Sequence, residues 1–188
     1  LVLRNLVTGK ENRFPAVASY LFDGYGTVLL IETSPDKKDS TSKACIILHH
    51  LQTGIADTLL KGFHDAASFR FDEGGAQLAF TAESDSSDKA LQKFYKLWYY
   101  KLGDDTARII ADKNTVGMMV GMGISENAKI NFSKDGKKLF FGIAPLQPLK
   151  DTSLVDFELA RLDIWNYKDD YLQPQQLKQL NAESKRSY

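Results

Sequence analysis

The sequence predicts an all-β protein built from consecutive four-stranded antiparallel units. The first observation is a hairpin motif that occurs three times, in which Phe is followed by Gly four residues later and by Leu three residues after that. The second is a short apolar stretch that follows each hairpin and runs into a turn. Four-stranded units that recur at roughly 40–50 residues are typical of β-propeller blades. We therefore predict a β-propeller arc of about three and a half four-stranded antiparallel blades.

The hairpin motif predicts the first two strands, A and B, of each blade. Its copies are FDGYGTVLLI from residue 22, FDEGGAQLAF from residue 71 and FSKDGKKLFF from residue 132. Strand A ends at Phe, Gly supplies the positive φ of a tight turn, and strand B alternates between inward and outward positions. We expect the three Gly to hold equivalent turn positions and the three Leu to face the same inter-sheet core. The repeat positions are Phe22, Gly26 and Leu29; Phe71, Gly75 and Leu78; and Phe132, Gly136 and Leu139.

The second family of stretches predicts strand C, and a short strand D closes each blade. Its copies are LVLRNL from residue 1, IILHHL from residue 46, LWYYKL from residue 97 and LDIWNY from residue 162, the last of which contains Leu162 and Trp165. The segments DKALQKFYKLWYYKL and DFELARLDIWNY also tolerate a helical period, so a helix is the alternative there. The register that they share with the β-branched stretch IILHHL favours strands.

These strands divide the chain into a half blade at 1–15, blades at 16–62, 63–112 and 126–180, and a tail at 181–188. Because residues 1–15 supply only strands C and D, we expect an arc cut from a larger propeller, with a very small closed propeller as the alternative. We attribute the larger spacing between the last two strand C copies, from Leu102 to Tyr167, to longer loops and not to another element. A severed arc exposes apolar surface and strand edges, which predicts self-association unless a strand such as QQLKQL completes the half blade.

Long polar loops are predicted on one face of the arc. They cover 33–43, 82–93 and 144–158, and the segment 112–127 between two blades joins them on that face. Loops on a rigid scaffold commonly carry binding function, but for 33–43 and 82–93 we favour the alternative that they are solvated insertions of Ser, Asp and Lys.

Composition and isolated reactive residues exclude several classes of function. A formal net charge of zero gives no electrostatic case for nucleic acid or for an anionic membrane, and no apolar stretch is long enough to span a bilayer. The single cysteine, Cys45, excludes an internal disulfide and is predicted to be a buried thiol. His49 and His50 are neighbours on one strand, face opposite sides of the sheet and cannot share a metal. Without a G-x-S-x-G elbow, we predict no catalytic, metal or cofactor site in these residues.

The last repeat carries a family resemblance. The hairpin INFSKDGKKLFFG, followed by a long loop and LDIWNYKDDYLQPQQ, resembles the propeller domain of bacterial serine peptidases of the prolyl oligopeptidase and dipeptidyl-peptidase type. Phe132, Ser133, Asp135, Gly136, Leu139 and Phe141 match the family's hairpin motif, and Leu162 and Trp165 match its strand C. The earlier copies depart from the motif with FDEGG and FDGYG. The resemblance to the peptidases is specific only over about residues 130–176. The hairpin motif alone does not distinguish them, because Tol-system and tryptophan–aspartate-like propellers share it.

The resemblance implies a non-catalytic role. In such peptidases the propeller caps an α/β-hydrolase domain and restricts the active site to peptides that fit the cavity, so the partners would be the remaining blades, that domain and the peptide substrate. It also implies export to the periplasm or cell surface. The alternative is a stand-alone binding propeller of the Tol-system or tryptophan–aspartate-like type that holds a protein or glycan on its long-loop face.

Overall fold

The computed structural model describes residues 1–36, 38, 39, 41–85, 92–147, 149 and 166–188. The first strands form a two-stranded antiparallel sheet of β1 (Val2–Arg4) and β2 (Glu11–Arg13). Two four-stranded antiparallel sheets follow, each with its strands in chain order. The second sheet consists of β3 (Val17–Phe22), β4 (Val28–Thr33), β5 (Cys45–His50) and β6 (Ala56–Lys61). The third consists of β7 (Asp65–Phe71), β8 (Gln77–Glu83), β9 (Lys96–Lys101) and β10 (Arg108–Ala111).

The next hairpin is split into two short ladders. Its outer ladder pairs β11 (Met122–Ile124) with β14 (Ile143–Pro145), and its inner ladder pairs β12 (Asn131–Phe132) with β13 (Leu139–Phe140). Strand A of this unit thus begins inside the segment 112–127, which the sequence analysis assigned to a loop. Leu162 and Trp165, the predicted strand C positions, lie outside the described residues.

The motif residues occupy the same register in all three hairpins. Phe22 lies opposite Leu29, Phe71 opposite Leu78, and Phe132 opposite Leu139. The turn glycines have nearly identical φ angles, +66° at Gly26, +67° at Gly75 and +66° at Gly136. Only glycine adopts this left-handed conformation without strain, which explains its recurrence.

Apolar side chains pack the sheets face to face. Between the second and third sheets lies a core that includes Leu30, Leu48, Leu78, Phe80 and Tyr100. A second cluster joins the third sheet to the split hairpin through Ala79, Leu97, Ile124 and Ile130, with Phe132 and Leu139 half-buried against it. The third sheet therefore buries one face against the second sheet and the other against the split hairpin, as propeller blades do. The all-β class and the arc of consecutive blades are confirmed; within the described residues no strand pairing joins the first sheet to the last.

The segment QQLKQL, considered above as a strand, belongs to helix α1 (Gln173–Glu183). Gln, Lys, Leu and Ala have high helix propensity, and Pro174 lies in the first turn, where its missing N–H costs nothing. The helix crosses the predicted boundary at 180 between the last blade and the tail.

Candidate binding site at the three hairpin turns

One residue, directly after the motif Phe, closes each hairpin turn. Asp23 Oδ1 accepts the backbone N–H of Val28 at 3.0 Å. In the next copy Asp72 Oδ1 accepts the N–H of Gln77 at 2.8 Å, and in the third Ser133 Oγ accepts the N–H of Lys138 at 2.9 Å. Each of these side-chain-to-backbone bonds spans five residues across the turn, and together they fix where strand B begins.

Asp23 is buried and held as a carboxylate. Its oxygens also accept the backbone N–H and the hydroxyl of Thr27 at 2.6 and 2.8 Å, and the N–H of Tyr25 at 3.3 Å. Burial acts to raise the pKa of Asp23, but the hydrogen bonds from Val28, Thr27 and Tyr25 together lower it below its usual value. The charged form is therefore part of the folded turn.

The second and third turn glycines, Gly75 and Gly136, pack against the turn of the preceding blade. A Cβ at Gly75 would lie 2.9 Å from Asp23 Oδ2, and a Cβ at Gly136 would lie 2.7 Å from Gln77 Nε2 and 3.5 Å from Asp72 Oδ2. Gly26 has no atom within 4 Å of the equivalent point. The second and third glycines thus serve both the left-handed turn and the close approach of neighbouring blades.

A polar bridge reinforces the contact between the second and third turns. Gln77 Nε2 donates to the carbonyl of Gly136 at 3.1 Å and to Asp72 Oδ2 at 3.1 Å, while Tyr99 Oη donates to Gln77 Oε1 at 2.6 Å. Burial raises the pKa of Tyr99, opposed by the nearby Arg108, so the phenol stays protonated as the donor. A second link runs from Ser68 Oγ to the carbonyl of Ala128 at 2.7 Å. These bonds hold the turns in fixed relative positions.

The three strand A ends and their turns surround a cavity of about 660 Å³, which we call the axial cavity. Its apolar wall consists of Leu21, Phe22, Phe69, Phe71 and Phe132, and its polar rim of Tyr25, Arg70, Asp72, Glu73, Ser133 and Lys134, with Gly24 between them. The volume lies within the roughly 300–1,000 Å³ range of small-molecule and peptide-side-chain sites. All three repeats contribute to the wall, so the site exists only when the blades are packed.

The axial cavity can bind apolar or aromatic groups and pair with charges at its rim. Phe22 is 42% exposed and Tyr25 68% exposed, so each offers ring surface to a ligand. Arg70 and Lys134 supply positive charge, and Glu73 supplies negative charge. Asp72 is already committed to the turn through Gln77. This combination suits a polypeptide segment, whose side chains are apolar and whose backbone and termini are polar.

The histidines and the cysteine fall at separate places. His50 Nε2 lies 2.9 Å from Asp57 Oδ2, whereas His49 lies on the opposite face against Phe14. Cys45 is half-buried, with Sγ 3.4 Å from the carbonyl of Lys43, because it starts strand β5 next to a loop; the predicted fully buried thiol is therefore wrong. The described residues contain no group of three or more His, Cys, Asp or Glu placed to hold a metal ion. No helix among them is both long and apolar enough to cross a membrane.

Sequence reasoning found the three motif phenylalanines that line the cavity but missed the polar residues of the turns. Asp23, Asp72 and Ser133 each follow the motif Phe directly, and this shared Asp or Ser was a readable turn signal. The contributions of Arg70 and Tyr25 had no such signal, since they are not equivalent between copies. The axial cavity lies on the face of the A–B turns, opposite to the long-loop face.

No protein-family model matches the chain, and no curated protein matches it. Among solved structures, acylaminoacyl peptidase from Pyrococcus horikoshii is 12% identical at a TM-score of 0.43, over 58% of this chain and 20% of that one. TolB from Acinetobacter baumannii is 18% identical at a TM-score of 0.42, over 77% and 32%. The β-propeller domain of the Trilobed protease from Pyrococcus furiosus is 12% identical at a TM-score of 0.46, over 79% and 46%. The chain thus spans less than half the length of each of these structures.

Proposed function

We propose that this chain is a non-catalytic β-propeller portion of a serine peptidase, which caps a hydrolase domain and selects peptide segments at its axial cavity. The observation that carries the proposal is the convergence of Phe22, Phe71 and Phe132, one from each repeat, on one cavity. The hairpin and strand C residues that resemble the peptidase family support it from the sequence side. Export to the periplasm or cell surface belongs to the same proposal.

The chemistry of the cavity fits selection rather than reaction. An apolar peptide side chain that is buried against the phenylalanines gains about 1.5–3 kcal/mol. Arg70 at the rim can donate hydrogen bonds to a peptide carboxylate, and Glu73 can accept them from an amino group, so short peptides with free ends could be oriented there. The proposed role requires no nucleophile in this chain, because hydrolysis would take place in the hydrolase domain.

The first test is the coding sequence on either side of the region that encodes Leu1–Tyr188. The proposal expects a downstream G-x-S-x-G motif followed by Asp and His, the order of an α/β-hydrolase domain. A flanking sequence that encodes only further propeller repeats would contradict the peptidase assignment.

The second test measures peptide binding to the chain itself. Fluorescein-labelled hexapeptides, with a central Phe or a central Ser, would be titrated and followed by fluorescence anisotropy. We expect the Phe peptide to bind more tightly and Phe22→Ser or Tyr25→Ser to weaken it. Tyr167→Ser is the matched control, because Tyr167 is 92% exposed and lies outside the cavity. Equal binding of both peptides, or equal loss in the control, would contradict selection at the axial cavity.

A stand-alone binding propeller is the second candidate, and one observation favours it. A cavity of about 220 Å³ lies on the long-loop face, between the segment 92–95 and the end of β14. Its wall includes Phe94, Tyr95, Lys113, Glu126 and Gln147. Under this alternative Phe94→Ser would abolish partner binding and Phe22→Ser would not, which is the reverse of the main proposal.

A further inference from the structure

A cavity of about 440 Å³ lies between the first and second sheets, and its lining contains polar side chains beside the apolar Leu3 and Leu51. Arg4, Asn5, Lys10 and Asn12 line it from the first sheet, and His49 and Gln52 from the second. The packing between the second and third sheets is different, since apolar side chains form a continuous core there. The first inter-sheet contact therefore contains polar groups where the repeat elsewhere places hydrocarbon.

His49 occupies the position that Tyr100 holds in the next blade. His49 lies opposite Leu29, and Tyr100 lies opposite the equivalent Leu78. Tyr100 belongs to the apolar core, whereas His49 is 5% exposed, meets Phe14 edge-on at 5.2 Å and forms part of the cavity wall. Its Nδ1 is buried without a hydrogen-bond partner. Buried polar atoms are nearly always paired, so the unpaired Nδ1 sets His49 apart from the side chains of the apolar core in the next blade.

The charge around the cavity is positive. Arg4 and Lys10 are the ionised groups in its wall, and no carboxylate lines it. The nearest acidic partner is Glu11, whose Oε1 lies 4.0 Å from Arg4 Nη1 and whose Oε2 accepts a closer bond from Arg13 at 2.9 Å. The amides of Asn12 and Gln52 add uncharged donors. The wall has no exposed aromatic platform of the kind that stacks on sugars.

We infer that this cavity binds a small organic dicarboxylate. Two cations at one cavity suit two carboxylates, the amides can donate to the remaining oxygens, and the His49 ring offers an N–H donor. The volume exceeds that of a single inorganic ion and lies in the range of small-molecule sites. Hydrogen bonds between cationic donors and carboxylates are the strong class of polar contact in proteins.

The test titrates the whole chain with succinate at constant ionic strength, by calorimetry and by NMR of the histidine ring signals. Succinamide is the neutral isostere and inorganic phosphate is the competing anion. We expect saturable binding of succinate, a shift confined to the His49 signals among the three histidines, and no saturable effect of succinamide. His49→Phe, which restores an aromatic ring at the Tyr100-like position, should weaken succinate binding about tenfold or more.

Charge variants complete the design. Arg4→Gln and Lys10→Gln should each weaken succinate binding about tenfold or more, whereas Lys137→Gln, on the exposed surface of another blade, should leave it unchanged. Absence of saturation at millimolar succinate would overturn the inference, as would equal binding of succinamide. Equal affinity for phosphate would overturn the carboxylate assignment. The far-ultraviolet circular dichroism of every variant must match that of the parent chain.

Discussion

The paired substitutions Gly75→Ala and Gly26→Ala measure the packing of one blade turn on the next. The two glycines have the same left-handed backbone, with φ of +67° and +66°. Alanine in that region costs about 1–2 kcal/mol at either position. The surroundings differ, because the new Cβ would lie 2.9 Å from Asp23 Oδ2 at position 75 and would meet nothing within 4 Å at position 26. The difference between the two variants therefore isolates the inter-blade contact.

The magnitude follows from the hydrogen bonds that Asp23 would lose. Its Oδ2 must move away from the new methyl group, and that oxygen accepts from Thr27 Oγ1 at 2.8 Å and more weakly from Tyr25 N at 3.3 Å. A hydrogen bond to a charged group contributes about 1.5–3 kcal/mol. We expect Gly75→Ala to be more destabilising than Gly26→Ala by about 1.5–3 kcal/mol, the value of the one short bond.

Urea unfolding, followed by circular dichroism and by tryptophan fluorescence, gives the two free energies of unfolding. The two probes must coincide for the comparison to hold. In the Asp23→Ala background the excess cost of Gly75→Ala should disappear, since the oxygen that collides is gone. Free energies for the two glycine variants that agree within about 0.5 kcal/mol would refute the proposed contact.

Three further predictions concern charge, packing and association. Asp23→Asn should destabilise the fold at pH 7, and its deficit should shrink as pH falls below the ordinary value of 3.8. A carboxylate with a lowered pKa stabilises the fold fully above that value and loses its contribution as pH falls through the lower pKa of the folded state. A pH-independent deficit in urea unfolding, or an equal loss in the exposed control Asp105→Asn, would contradict this. Leu78→Ala should lower the free energy of unfolding by about 2–5 kcal/mol in the same assay, and Leu139→Ala by less, because Leu78 is fully buried and Leu139 is half-buried. The reverse order would show that the repeat register is wrong. Light scattering over a concentration series should show a mass that rises with concentration, because the exposed strand β3 can pair with a second copy. Tyr20→Lys should weaken this self-association and Ile55→Lys should not. A concentration-independent monomer mass would contradict the prediction.

The sequence by itself determined the repeat and therefore the strand order. Phe, Gly and Leu recur at fixed spacing because a tight turn has few allowed conformations, and these local constraints are readable without a partner strand. The pairing of Phe22 with Leu29 and of Phe71 with Leu78 follows directly from that turn. Local chemistry was misread at QQLKQL, where good helix formers were considered as a strand.

Only the tertiary structure decided what the turns do together. The contact of Asp23 with Gly75, the bridge from Gln77 to Gly136 and the axial cavity each join residues from different repeats. Their positions depend on the angle and distance between packed sheets, which the sum of many apolar contacts sets. The same holds for His49, whose place in an inter-sheet cavity differs from that of Tyr100 in a closed core although both occupy the same position of their strands. A periodic pattern specifies which face a residue takes, but what lies across that face depends on the packed neighbour.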